Sequence, residues 1–217
     1  MANGPTSFGY LLPTREVVMA PGDPDFGSMI GLAENAEGFG FDSVWVGDSI
    51  LARPRLEALG TLSAIAGRTQ RVKLGTAVFL PALRNPVVLA NEVANLDIVS
   101  GGRVILGVGI ASKTPAVQAE FAACGVSFRH RVSLFEECVT VMKRLWTEDK
   151  VTHNGQHFQL EDSSLGLRPV QKGGIPIWMA ASAEAPQRRM LRIGDGWFPN
   201  SQSPEAFTQG WQQIQNL

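Results

Sequence analysis

The chain is poor in the residues that announce several specialised chemistries. Its 217 residues include only two cysteines, three histidines and one tyrosine. The cysteines, Cys124 and Cys138, lack metal-ligand spacing and give no disulfide framework; they read as buried free thiols of a reducing compartment. No apolar stretch approaches the roughly 18 residues of a membrane span, and no basic segment leads into an apolar core at the N-terminus. The expected location is therefore the cytoplasm, with no membrane contact. Net charge is only −1 and no long run carries one sign, which argues against a nucleic-acid partner. A Gly-x-Ser-x-Gly elbow and a Walker sequence are both missing, so neither serine hydrolase nor P-loop chemistry is indicated.

What is present is a globular composition, 44% hydrophobic and 18% charged. A chain of this length can bury roughly 70% of its unfolded surface in a single core. Apolar runs at Asp42–Val46, Val72–Phe79 and Arg103–Gly109 are each followed by a helix-like stretch. Ser7–Leu12 is a plausible first strand, and Ile175–Ala180 and Gly196–Pro199 continue the series to six. Asp25 is placed to cap a helix to about Glu37, and a second helix spans about Arg55–Ala66. Asn85-Pro86 opens a third, which Gly101-Gly102 ends. Val132, Phe135, Val139, Met142 and Trp146 form the apolar stripe of a long fourth helix, with Arg131, Glu136, Glu137 and Lys143 mostly toward water. Ser127 is its candidate cap. Helices over Ala183–Ile193 and Glu205–Ile214 complete the series, and Thr14–Pro24 reads as a loop. After the fourth helix, Asn154-Gly155 between two alternating runs signals a hairpin, read as an insertion. The expectation is one α/β domain over residues 1–217, a parallel sheet with helices outside, either doubly wound or a (β/α)8 barrel.

In such folds ligands bind at strand C-termini. Asp48 follows strand two and Asp195 precedes strand six; each is read as either a catalytic carboxylate or a loop cap. Ala180-Ala181-Ser182-Ala183 opens a helix with small residues, which suits an anion site or a plain N-cap. His130, between Arg129 and Arg131, stands where a phosphate or carboxylate could dock, although solvated charge is the simpler reading. An Asn154-Gly155 turn would pair His153 with Gln156 and Thr152 with His157, putting the two rings on opposite faces and excluding a metal pair. Gly107-Val108-Gly109 lacks the third glycine of a dinucleotide fingerprint, since position 112 is Ser112 and Pro115 interrupts.

Several segments are similar to the bacterial luciferase-like flavin monooxygenase family. They are Phe41–Asp48, Val72–Val78, Leu80-Pro81, Arg84–Val87, Glu92–Asp97, Ser100–Arg103, Leu106–Gly109, Leu145–Glu148, Gly155–Phe158, Ile175–Trp178 and Gly194–Trp197. The resemblance covers nearly the whole chain. It implies a TIM-type (β/α)8 barrel, here apparently truncated after about six β/α units, with the C-terminal units missing. It also implies reduced FMN or the deazaflavin coenzyme F-420 as cofactor, a small-molecule substrate, possible supply of reduced flavin by a reductase, and a homodimer. A non-prolyl cis peptide maps to Ala77-Val78. Ala77, Val78 and Phe79 would support the ring, Gly109 and Ile110 line its flank, Ala181 and Ser182 hold the phosphate, and Asp48 and Ser49 face the reacting edge. Two positions depart from the pattern. Ser49 stands where many members carry histidine, and Ser112 where sugar-phosphate dehydrogenases carry a glutamate acid. Oxygen-dependent oxidation and hydride transfer both remain open, beside a non-catalytic flavin-binding protein or an inactive shortened paralogue.

Overall fold

The computed structural model describes residues 6–199 and 203–217. Apolar and β-branched runs give strands β1 (Gly9–Leu11), β2 (Ser43–Val46), β3 (Lys73–Thr76), β4 (Val104–Val108), β7 (Ile177–Ala180) and β8 (Gly196–Phe198). They form one parallel sheet in the order β1-β2-β3-β4-β7-β8, with β1 and β8 outermost. The sheet curls as an open half-barrel. The intervening elements β5 (Val151–Asn154) and β6 (Gln159–Ser163) pair only with each other, antiparallel.

Side chains alternate across these strands. Val44, Val46, Leu74, Leu106, Val108, Ile177 and Met179 are buried under the helices. Trp45, Trp178 and Phe198 are half-buried and meet one another, with ring centroids 5.6 Å apart for Trp45 and Trp178 and 5.4 Å for Trp45 and Phe198. Beside them, a Cβ at Gly75 would overlap the Trp45 ring, so glycine is what lets the indole lie against β3.

The helices are α1 (Thr14–Met19), α2 (Phe26–Gly38), α3 (Ala58–Ala66), α4 (Pro86–Ser100), α5 (Pro115–Ala123), α6 (Arg131–Thr147), α7 (Glu184–Ile193) and α8 (Pro204–Gln215). Their ends follow local chemistry. Asn85 Oδ1 accepts the Val87 and Val88 N–H groups at 2.9 and 3.4 Å, and Gly101 closes α4 at φ 69°. Asp25 caps α2 through the Ser28 N–H at 2.9 Å.

Five expectations are corrected. Thr14–Pro24 is not all loop, because α1 occupies its first six residues. Pro115 does not merely interrupt: it is the first residue of α5, and Thr114 caps it by accepting the Val117 N–H. Ser127 precedes a short 3-10 turn (Phe128–His130) rather than capping α6. The helix after β7 is preceded by Ala183, not Ser182, and no side chain caps it. The β5–β6 turn falls on Gln156-His157 instead of Asn154-Gly155, since His153 pairs with Leu160 and Asn154 with Gln159. The cause lies in α6. Glu137 turns inward and accepts the N–H groups of His157 (3.0 Å) and Phe158 (2.8 Å) and a contact from His153 Nε2 (3.1 Å). That long-range carboxylate outweighs the local turn preference.

Candidate functional site

Four strand ends and the loops after them build the upper rim of the sheet. After β3 the Ala77–Val78 peptide is cis. Its flanks are pinned: the Ala77 N–H donates to Val46 O at 2.7 Å and the Phe79 N–H to Gly107 O at 2.7 Å. The Gly109 N–H returns a bond to Phe79 O at 2.9 Å. Glycine is needed in β4 for this approach, because a Cβ at Gly107 would overlap Thr76 O, and one at Gly109 would stand 2.7 Å from Val78 Cγ2.

Asp48, directly after β2, braces the same turn. Its carboxylate accepts the Leu80 N–H at 2.9 Å and both terminal nitrogens of Arg84, at 2.6 and 2.8 Å. The pair is shielded, with side-chain exposures of 3% for Asp48 and 18% for Arg84. The Arg84 guanidinium also lies 4.2 Å from the centre of the Phe79 ring. Bidentate pairing of this kind fixes the orientation of the carboxylate. Ser49 is engaged too: its hydroxyl donates to Glu120 at 2.9 Å and accepts the Arg53 N–H at 2.9 Å.

Glu120, on α5, was not picked out from the sequence. It is 1% exposed. Its Oε1 accepts the Ser49 hydroxyl and the N–H groups of Ile50 (2.5 Å), Leu51 (2.8 Å) and Ala52 (3.2 Å). Oε2 is buried with no partner among the described residues. Burial pushes the Glu120 pKa up, but the N–H donors and Ser49 outweigh it and hold the carboxyl below the ordinary glutamate range. The group is an anion that organises the whole loop after β2.

These residues converge on a cleft of about 190 Å³ lined by Asp48, Ser49, Ala77, Val78, Ser112 and Glu120, with Arg53 and Arg55 at its side. It thus unites four of the nine site residues expected from the sequence. The other five lie outside its lining. Phe79 is 1% exposed, turned into the core beneath Arg84. Gly109 is buried against Val78, and Ile110 is half-buried. Ala181 is 1% exposed, and its carbonyl accepts the Trp197 indole N–H at 2.6 Å. Ser182 is exposed beyond β7. Asp195 sits at the opposite rim, where it caps β7 by accepting the Ile177 N–H at 2.9 Å and pairs with Lys143 at 2.8 Å. Of its two readings, the loop cap is the one seen. His157 meets Ser133 Oγ at 2.8 Å, and His130 stands 5.9 Å from the His157 ring centre.

Small, apolar backbone-rich walls at Ala77, Val78 and Ala111 suit the edge of a flat ring. A volume of about 190 Å³ is below the roughly 300–1,000 Å³ of full ligand pockets. The cleft accommodates part of a cofactor-sized molecule.

Comparison with known proteins agrees with this architecture. The luciferase-like monooxygenase family model matches residues 6–215. An F420-dependent glucose-6-phosphate dehydrogenase of Kineococcus radiotolerans is 35% identical over 91% of this chain and 57% of its own length. A 5,10-methylenetetrahydromethanopterin reductase of Methanolobus tindarius is 30% identical over 93% of this chain and 58% of its own. A solved monooxygenase from Streptomyces bottropensis superposes with a TM-score of 0.84 at 27% identity, covering 97% of this chain and 65% of that one. The chain therefore spans just under two thirds of the length of these relatives or less. With a family match over almost every residue, and with the parallel half-barrel and its pinned β3 end, the chain belongs to the luciferase-like monooxygenase family.

Proposed function

We propose that this chain carries the cofactor-binding rim of an oxidoreductase that uses reduced FMN or the deazaflavin coenzyme F-420 on a small organic molecule. The observation that carries the reading is the β3 end: the Ala77–Val78 turn, held between Val46 and Gly107, forms one wall of the cleft. Relatives named as F420-dependent enzymes support the cofactor class. When bound, the cofactor would carry the electrons, either as reduced flavin used with oxygen or as a deazaflavin that accepts a hydride from the substrate.

The protein's part is placement. Ala77 and Val78 would face the ring, Gly109 and Ile110 would support its flank, and Ser182, next to the locked Ala181, would meet the phosphate. Phe79 would act from behind by packing under Arg84. Asp48 and Ser49 would shape the reacting edge, Asp48 through Arg84 and Leu80 and Ser49 through Glu120. The whole chain, residues 1–217, would act as one domain.

A reductase partner follows only for the FMN case. A homodimer is part of the same proposal: Val88, Ile98 and Val99 are exposed on α4, on a face they share with Glu92 and Asn95, beside a groove against Gly60 and Ser63 of α3. Sedimentation should then give twice the chain mass.

The deciding experiment is titration of the chain with FMN, reduced FMN and coenzyme F-420. The expected result is saturable binding of at least one. No binding of any at concentrations of roughly 500 µM, where affinity would be below about 5 kcal/mol, would overturn the reading.

A further inference from the structure

The cleft contains a cation that neither the fold nor the pinned β3 end uses. Arg55 lies just before α3 and folds back over the end of β2, so closely that a Cβ at Gly47 would overlap its guanidinium. Its Nε donates to Arg53 O at 3.2 Å. Its two terminal nitrogens have no acceptor among the described residues, and no carboxylate there forms an ion pair with it. Its neighbours explain this. Asp48 is the carboxylate whose charge acts most on it, yet Arg84 takes both of its oxygens. Glu120 lines the same cleft, but Oε1 is saturated by three N–H groups and Ser49, and its buried Oε2 makes no hydrogen bond with Arg55. Arg53 also lines the cleft, and no side-chain hydrogen bond holds it. Arg15 adds a third positive charge nearby and Glu16 a negative one.

A guanidinium half removed from water normally finds a carboxylate or a set of carbonyls. Arg55 instead keeps a fork of free N–H donors in an open cleft beside Ala77, Val78 and Ser112. A planar fork of this kind matches the oxygens of a carboxylate or phosphate.

We propose that this cleft is an oxyanion subsite, in which Arg55 with help from Arg53 receives a carboxylate or phosphate group carried by the substrate. The assignment rests on the reading of the cleft as the place where substrate meets cofactor. It deepens that reading by naming the substrate class: a small organic anion, oriented by its charged end at β2 and presenting its reacting carbon toward Ala77–Val78. Ser112, exposed on the far side and without a carboxylate, leaves room for the rest of the molecule.

The test uses the full chain and calorimetric titration with inorganic phosphate and, separately, acetate. Saturable binding of at least one is expected, and which of them binds tells the phosphate case from the carboxylate case. Arg55→Gln should weaken it about tenfold or more, the size expected for losing a charge-assisted pair of hydrogen bonds. Arg55→Lys should retain part of the affinity, since it restores the charge without the fork. Arg53→Gln, at an exposed site, should weaken binding by a smaller factor and guards against misfolding of the Arg55 variants. Arg68→Gln, at an exposed arginine paired with Glu34 and outside the cleft lining, should leave phosphate affinity within about twofold, as expected for independent sites. Absence of saturable binding by either anion up to about 50 mM would overturn the proposal. So would equal affinity in Arg55→Gln, or an equally large loss in Arg68→Gln. FMN and F-420 titrations of the same variants keep the two readings apart. Cofactor binding with no Arg55-dependent anion site sinks this inference only; an Arg55-dependent anion site with no cofactor binding sinks the proposed function only.

Discussion

The two rims of the sheet use buried charge in opposite ways. At the lower rim, where strands begin, Arg103, Asp97 and Glu37 are each fully engaged. Arg103 donates all five guanidinium N–H groups, to Ser100 O, Thr69 Oγ1, Val72 O, Ala66 O and Thr69 O. Asp97 accepts the Val170 and Gln171 N–H groups and the Gln171 amide. Glu37 accepts the N–H groups of Gln70, Arg71 and Val72. At the upper rim, among the described residues, Glu120 Oε2 has no partner and Arg55 has free donors. Satisfied networks lock strands in register, while unfinished ones are where a ligand can complete the set.

The largest break in this comparison comes from Arg103→Met. It strips the partners from buried carbonyls and should cost about 3–5 kcal/mol, read as a lower urea midpoint at unchanged slope. Asp48→Ala leaves Arg84 uncompensated and should cost about 3 kcal/mol; Asp48→Asn, which can still accept the Leu80 N–H, should cost less. Because Asp48 braces the β3 end, cofactor affinity should fall along with stability, unlike the Arg103 case.

Glu120→Gln should cost about 1.5–3 kcal/mol at neutral pH. Its acid dependence follows from the lowered pKa. A carboxyl whose folded pKa lies below its unfolded value stabilises above that unfolded value, near 4.3, and the benefit is lost as pH falls through the folded pKa. The gap in unfolding free energy between wild type and Glu120→Gln should therefore narrow steadily below about pH 4.3. A constant gap would show that the charge does not matter there. The smallest effect belongs to Arg55→Gln, expected to shift stability by no more than about 0.5 kcal/mol, because nothing in the fold depends on its free donors.

Elements with chemistry at both ends were legible. In α4, Asn85-Pro86 starts the helix and Gly101 ends it. Thr114-Pro115 carries the same start signal for α5, and reading Pro115 only as an interruption hid it. The hairpin register was hidden for a different reason. The local Asn154-Gly155 signal is real, but Glu137, 20 and 21 residues before His157 and Phe158, decides where the turn falls. The site shows the same division. Asp48 was visible as a residue at a strand end, and Ser49, Ala77 and Val78 came from the family resemblance. Glu120 was not, because its meaning comes from N–H groups about 70 residues earlier in the chain, brought to it only by the parallel sheet.

The Trp197 indole has a consequence for how the rim breathes. It bonds Ala181 O on one side, and its ring stacks on Phe207 and Trp211 of α8 at centroid distances of 5.3 and 6.3 Å. Helix α8 buries little else, with Ile214 its one buried side chain. The last helix and the turn after β7 thus share a single fastener. Amide protons of α8 and of the turn around Ser182 should exchange with solvent together, at one low opening energy, while the strands beneath stay closed.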